Sequence, residues 1–107
     1  MRACDYHAYH DGGMLAHPSP LEVRALLEEG LERDWWVLEL HFCWPAKDRC
    51  SYHASLFVEV KPRIIILEFL TDQKQYRTFP RTMPDLVAQV WRQIQAWWQQ
   101  YLERIPA

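Results

Sequence analysis

The chain reads as an α+β protein, with one helix, an antiparallel meander of three or four strands, and a long closing helix. Three observations carry that reading. Two segments open with helix-start signatures and continue with apolar residues at three- and four-residue spacing. Between them lie runs that alternate apolar and polar with a period of two. The links between those runs are too short to hold crossover helices, so neighbouring strands must be antiparallel, with the helices on one face.

Residues 1–17 read as an irregular arm, because Tyr and His alternate with small and polar residues and Gly12-Gly13 breaks any period. Residues 18–107 then form a single α+β domain, which suits a chain of 107 residues. Ser19 can cap the first helix, Pro20 fits its first position, and Glu22 stands where a capping box needs its acid. Leu21, Val23, Leu26, Leu27 and Leu31 form the apolar stripe. Gly30 weakens the last turn, and the helix should stop by about Asp34.

In the first strand Trp36, Leu38, Leu40, Phe42 and Trp44 point one way, and Trp35, Val37, Glu39, His41 and Cys43 the other. Pro45 to Arg49 supply a polar turn. Tyr52, Ala54, Leu56, Val58 and Val60 then alternate with Ser51, His53, Ser55, Phe57 and Glu59. Lys61-Pro62 reverses the chain, and Arg63 to Leu70, rich in β-branched residues, makes a third strand. After a turn at Thr71 to Lys74, Gln75 to Phe79 suit a short fourth. Thr82, Pro84 and Asp85 repeat a helix start. The closing helix is expected from Met83 to Arg104, about 33 Å long at 1.5 Å per residue. Val87, Val90, Ile94, Trp97, Tyr101 and Ile105 hold its apolar face, widened by Trp91, Trp98 and Leu102.

If Trp44 and Cys50 close the first hairpin, Trp36 faces Val58, Leu40 faces Ala54, His41 faces His53 and Cys43 faces Ser51. The even-numbered face is apolar throughout and should meet the helices. The odd-numbered face is apolar only at one end, where Trp35, Val37, Phe57, Ile64 and Ile66 gather, with histidines and serines at the other. An open antiparallel sheet normally keeps this side polar, so the patch calls for cover by the arm or by a second chain.

Composition narrows the function. Half the residues are hydrophobic and 24% are charged, which excludes a disordered chain. Six tryptophans exceed what one sheet face absorbs. A net charge of −2 lacks the basic excess of a nucleic-acid binder. The charge is uneven: Glu22 to Asp34 holds five acids and two bases, Lys61 to Arg81 five bases and two acids. The odd cysteine set Cys4, Cys43 and Cys50, with no leader-like apolar run and no bilayer-length stretch, favours a cytoplasmic protein with reduced thiols. A Cys43–Cys50 disulfide is not expected.

Chemistry-bearing residues are sparse. Cys4, His7, His10, Asp11 and His17 cluster in the arm, and His41, His53 and Cys43 on two strands. Neither set shows paired zinc-ligand spacing, and Cys43 with a histidine lacks an orienting third group, so no metal or other cofactor is expected. Phosphate-loop, dinucleotide, serine-hydrolase and zincin motifs are missing from the sequence. The α-β-β-β-α order resembles that of double-stranded-RNA-binding domains, a resemblance that implies a lysine cluster at the start of the last helix. Thr82, Met83, Pro84 and Asp85 stand there instead, and the basic-aromatic interleaving is confined to Tyr76, Arg77, Phe79 and Arg81.

The expectation is therefore a small non-enzymatic protein-interaction module, adaptor-, chaperone- or inhibitor-like. It should bind a protein partner or itself, with no nucleic acid and no membrane. Trp35, Val37, Phe57, Ile64, Ile66, Trp91 and Trp98 are the candidate interface residues. The alternative is a metal-binding or thiol-dependent enzyme using His41, His53 and Cys43.

Overall fold

A computed structural model describes residues 5–44, 52–71 and 73–102. The described residues form six strands and two helices: β1 (Asp5–His10), β2 (Gly13–Ala16), α1 (Pro20–Gly30), β3 (Trp36–Trp44), β4 (Tyr52–Val60), β5 (Ile64–Leu70), β6 (Lys74–Pro80) and α2 (Leu86–Leu102). All strands join one open antiparallel sheet in the order β2-β1-β3-β4-β5-β6. The α+β class and the antiparallel sheet are as the sequence predicts; the strand count is not.

The main correction concerns the start of the chain. Residues 5–16 are not an irregular arm but a hairpin, with Gly13 at φ 135° closing its turn. β1 pairs along β3 from Asp5–Cys43 to His10–Leu38, which carries the sheet two strands further. The interrupted pattern hid this because a four-residue edge strand needs no apolar alternation of its own. The element order thus begins with two strands, and the resemblance to RNA-binding domains in element order does not hold. The hairpin lies in the plane of the sheet, so it does not cover the odd-numbered face.

α1 forms as its signature dictates. Ser19 Oγ accepts from the Glu22 amide and Glu22 Oε1 accepts from the Ser19 amide, a closed capping box. Val23 and Leu27 are fully buried, whereas Leu21, expected in the stripe, is 80% exposed. α2 starts later than expected, at Leu86 rather than Met83. Asp85 has a positive φ of 54°, a conformation no helix interior accepts, and its carbonyl receives the Gln89 amide. The expected extension to Arg104, with Ile105 on its face, lies outside the described residues.

β3 and β4 pair two residues away from the expected register. Trp36 meets Val60, Leu40 meets Leu56, His41 meets Ser55 and Cys43 meets His53. A two-residue slip leaves parity intact, so every side chain stays on its expected face while its neighbours change. The Pro45–Arg49 turn and Cys50 lie outside the described residues. The next reversal falls at Pro62-Arg63, not at the expected Lys61-Pro62: Lys61 donates to the Ile64 carbonyl and Val60 pairs with Ile65, again two residues from the expected register. Parity holds, so Ile64, Ile66, Glu68 and Leu70 join the odd-numbered face as expected.

The core lies between the sheet and the helices. Leu38, Leu40 and Phe42 of β3, Leu56, Val58 and Val60 of β4 and Ile65, Leu67 and Phe69 of β5 are buried against Val23, Leu27, Val90, Ile94 and Trp97. Phe69 stacks on Trp97 at 5.5 Å between ring centroids. No polar or charged residue is buried among those described. Three of the six tryptophans are absorbed here, since Trp36, Trp91 and Trp97 are 5%, 7% and 4% exposed.

Candidate interaction surface

Because both helices pack on one side, the opposite face of the sheet is uncovered among the described residues. Strand pairing sets its side chains in rows. One row crosses all six strands: Met14, Tyr9, Glu39, Phe57, Glu68 and Tyr76. Beside it run Val37, Glu59, Ile66 and Thr78. On its other side run Ala16, His7, His41, Ser55, Leu70 and Lys74, followed by the Cys43–His53 pair.

Apolar side chains and carboxylates therefore alternate in both directions, a mosaic rather than the continuous patch expected at Trp35, Val37, Phe57, Ile64 and Ile66. The slipped register causes this, for it sets Glu59 opposite Val37 and Glu39 opposite Phe57. Two of the carboxylates have a lysine at hand: Glu59 reaches Lys61 at 3.1 Å and Glu68 reaches Lys74 at 3.7 Å. Glu39 lies 3.6 Å from His41, an ion pair only when the ring is protonated. A side-chain hydrogen bond with Tyr76 holds the Lys74 ammonium above its ordinary value, helped by Glu68 and outweighing desolvation.

Exposure singles out this face. Six large hydrophobic residues are exposed among those described, and five of them lie on it or at its margin: Tyr9, Met14, Trp35, Val37 and Tyr76. Trp35 is 65% exposed and Tyr76 54%. Phe57, Ile64 and Ile66 are half-buried within it. Sequence reasoning missed Tyr9, Met14 and Tyr76, since two sit in the segment taken as an arm and the third on the shortest expected strand. The two helical residues belong elsewhere. Trp91 packs into the chain's own core, and Trp98 is half-buried against Tyr6 and Phe42, with ring centroids 5.6 and 5.5 Å away. Both line a shallow groove of about 290 Å³ with Tyr6, Pro20, Gln95 and Gln99.

The histidines occupy one end of the same face. His41 Nδ1 lies 3.0 Å from Ser55 Oγ and its Nε2 lies 3.2 Å from His53 Nδ1, so both ring nitrogens are engaged. Cys43 is a half-buried free thiol opposite His53 in register, but His53 Nδ1 is turned to His41. That contact does not make a thiolate–imidazole pair. His7 and His10 cannot chelate together, because their odd and even positions put them on opposite faces of β1. The His10 ring accepts from the Gly12 amide near α1 instead. Among the described residues no group of three or more His, Cys, Asp or Glu side chains is arranged to hold a metal ion.

Of the basic-aromatic set, Arg77 lies over the Phe79 ring at 5.2 Å. Arg81 is taken up internally, donating to the carbonyls of Arg33, Lys61 and Leu31 at 2.7–3.0 Å.

Fold and surface together define an α+β protein whose described residues build a six-stranded open antiparallel sheet with one face left uncovered among them. Comparisons with protein-family models, curated proteins and solved structures found no match for this chain. Among the described residues no helix is long and apolar enough to cross a membrane.

Proposed function

We propose that the chain is a non-enzymatic protein-interaction module that docks through the outer face of its sheet, with a second copy of the chain as the occupant. One observation carries this reading: among the described residues, five of the six exposed large hydrophobics lie on that face or at its margin. Scattered apolar residues on a surface need no explanation, but a set collected on one sheet face does. The lysines beside Glu59 and Glu68 support the reading, because two of the carboxylates enter a contact already offset by a cation. The hairpin of β1 and β2 widens the face instead of covering it.

Sedimentation velocity over a concentration series tests the proposal. The native chain should shift from monomer to dimer as concentration rises. Val37→Glu, which sets a third acid beside Glu39 and Glu59, should hold it as a monomer with unchanged circular dichroism. A native chain that stays monomeric up to about 1 mM, with Trp35 freely quenched by acrylamide, overturns the reading.

A further inference from the structure

β6 is one edge of the sheet, seven residues long, and its outer side pairs with nothing among the described residues. Which of its backbone groups are open follows from the register. Arg81 donates its amide to the Arg63 carbonyl, which makes 63 and 81 a hydrogen-bonded pair. Antiparallel ladders alternate, so Gln75, Arg77 and Phe79 bond back to β5, while Lys74, Tyr76 and Thr78 turn their N–H and C=O groups outward. Pro80 falls in the outward set, where its missing N–H costs β5 nothing.

The side chains of this edge are basic. β6 holds Lys74 and Arg77 and no acid, and Arg63 is exposed beside its end. Arg77 is in contact with the Phe79 ring and has no ion pair among the described residues. Lys74 projects on the outer face, 3.7 Å from Glu68 of β5, and Arg77 on the helix side, three positions apart.

We propose that β6 receives an extended acidic segment of another protein, which adds to the sheet as a seventh strand. Its recognition element is two carboxylates three residues apart, one facing Lys74 and the other Arg77. The open ladder supplies affinity irrespective of sequence, and the two cations on opposite faces supply selection. A second copy of β6 offers this edge no partner charge, because the strand holds no acid to meet Lys74 or Arg77. The β2 edge offers four residues and no charge, so it makes no comparable site. This edge borders the outer face at Lys74 and Tyr76, but strand addition at its open ladder does not depend on self-association.

The test uses three synthetic eight-residue peptides of valine and threonine, titrated by fluorescence anisotropy at low salt. One carries two glutamates three apart, the second carries lysines there, and the third is the acidic peptide N-methylated on alternate ladder amides. The acidic peptide should bind saturably, and both twins should bind at least about tenfold more weakly. Hydrogen exchange should slow at the Lys74, Tyr76 and Thr78 amides on binding. The K74E/R77E variant should reverse the preference to the lysine peptide. Should that variant fail to fold, the three peptides against the native chain still decide. Val37→Glu should leave peptide binding unchanged, so failure at the face and failure at the edge are distinguishable. Equal binding of the N-methylated twin, protection confined to other strands, or no saturable binding of the acidic peptide overturns the proposal.

Discussion

At the residue scale, two side chains decide more than their types suggest. Gly30 ends α1, where replacing glycine by alanine normally favours a helix by about 1 kcal/mol. Here a Cβ would stand 2.2 Å from the buried Trp36 indole, so the sign inverts. Gly30→Ala should destabilise the protein by roughly 1–3 kcal/mol, read as a lower urea midpoint at unchanged m-value. An unchanged or higher midpoint would show that Trp36 moves aside freely. Arg81 binds carbonyls at Leu31 and Arg33 just past α1 and at Lys61 in the β4–β5 turn, joining the ends of three elements with one guanidinium. Arg81→Ala should cost about 2 kcal/mol and lower Tm by several degrees, and Arg81→Lys should recover little, because an ammonium cannot span three carbonyls in a fork. Calorimetry of the pair checks this; equal Tm for native and alanine forms would remove the clamp. The capping box was legible in the sequence because Ser19 and Glu22 are three residues apart. Neither the Trp36 approach nor the Arg81 clamp was, since their partners stand six to fifty residues away and no local pattern marks them.

At the element scale, what sequence patterning reveals is parity. Period-two alternation assigned every described strand side chain from Trp36 to Leu70 to its face, because burial acts on each strand alone. It could not choose between registers two residues apart, for both bury the same side chains, and the choice moved His41 from His53 to Ser55. The β1–β2 hairpin was illegible for a related reason. Its stability comes from pairing along β3 and from Tyr6, whose ring stacks on Phe42 and whose hydroxyl donates to the Pro18 carbonyl, not from its own alternation. Removing residues 1–17 therefore should not trim a dispensable arm. It strips one edge of β3 and uncovers Phe42, a loss on the order of 5 kcal/mol, comparable to the whole stability of a small domain. Far-UV circular dichroism of the truncated chain should show a largely unfolded protein at 37 °C, and a melting curve matching the full chain would refute the hairpin's role.

At the scale of the whole molecule, the consequence of a one-sided core is shape. The chain measures 46 × 26 × 19 Å, and the short axis fits one sheet under one layer of helices. Such a plate has two distinct ways to associate, and its two open features select different ones. Contact through the outer face stacks sheet on sheet at about 10 Å, thickens the short axis roughly twofold and gives a more isometric particle. Addition along β6 instead extends the sheet in its own plane and leaves the thickness unchanged. β6 holds no acid to meet Lys74 and Arg77 of an identical copy, so that second mode gains no charge pairing between copies, while the mosaic of Tyr9, Phe57 and Tyr76 with offset carboxylates suits the first. Small-angle scattering across a concentration series should therefore show the particle becoming rounder as it dimerises, with the distance distribution gaining weight at mid-range and little at its maximum. Adding salt to about 0.5 M should weaken the screening-sensitive ion pairs at the rim yet leave the dimer largely in place, because exposed pairs contribute little and apolar burial does not screen. A dimer whose maximum dimension grows instead, or which dissolves with salt, would place the contact on an edge and not on the face.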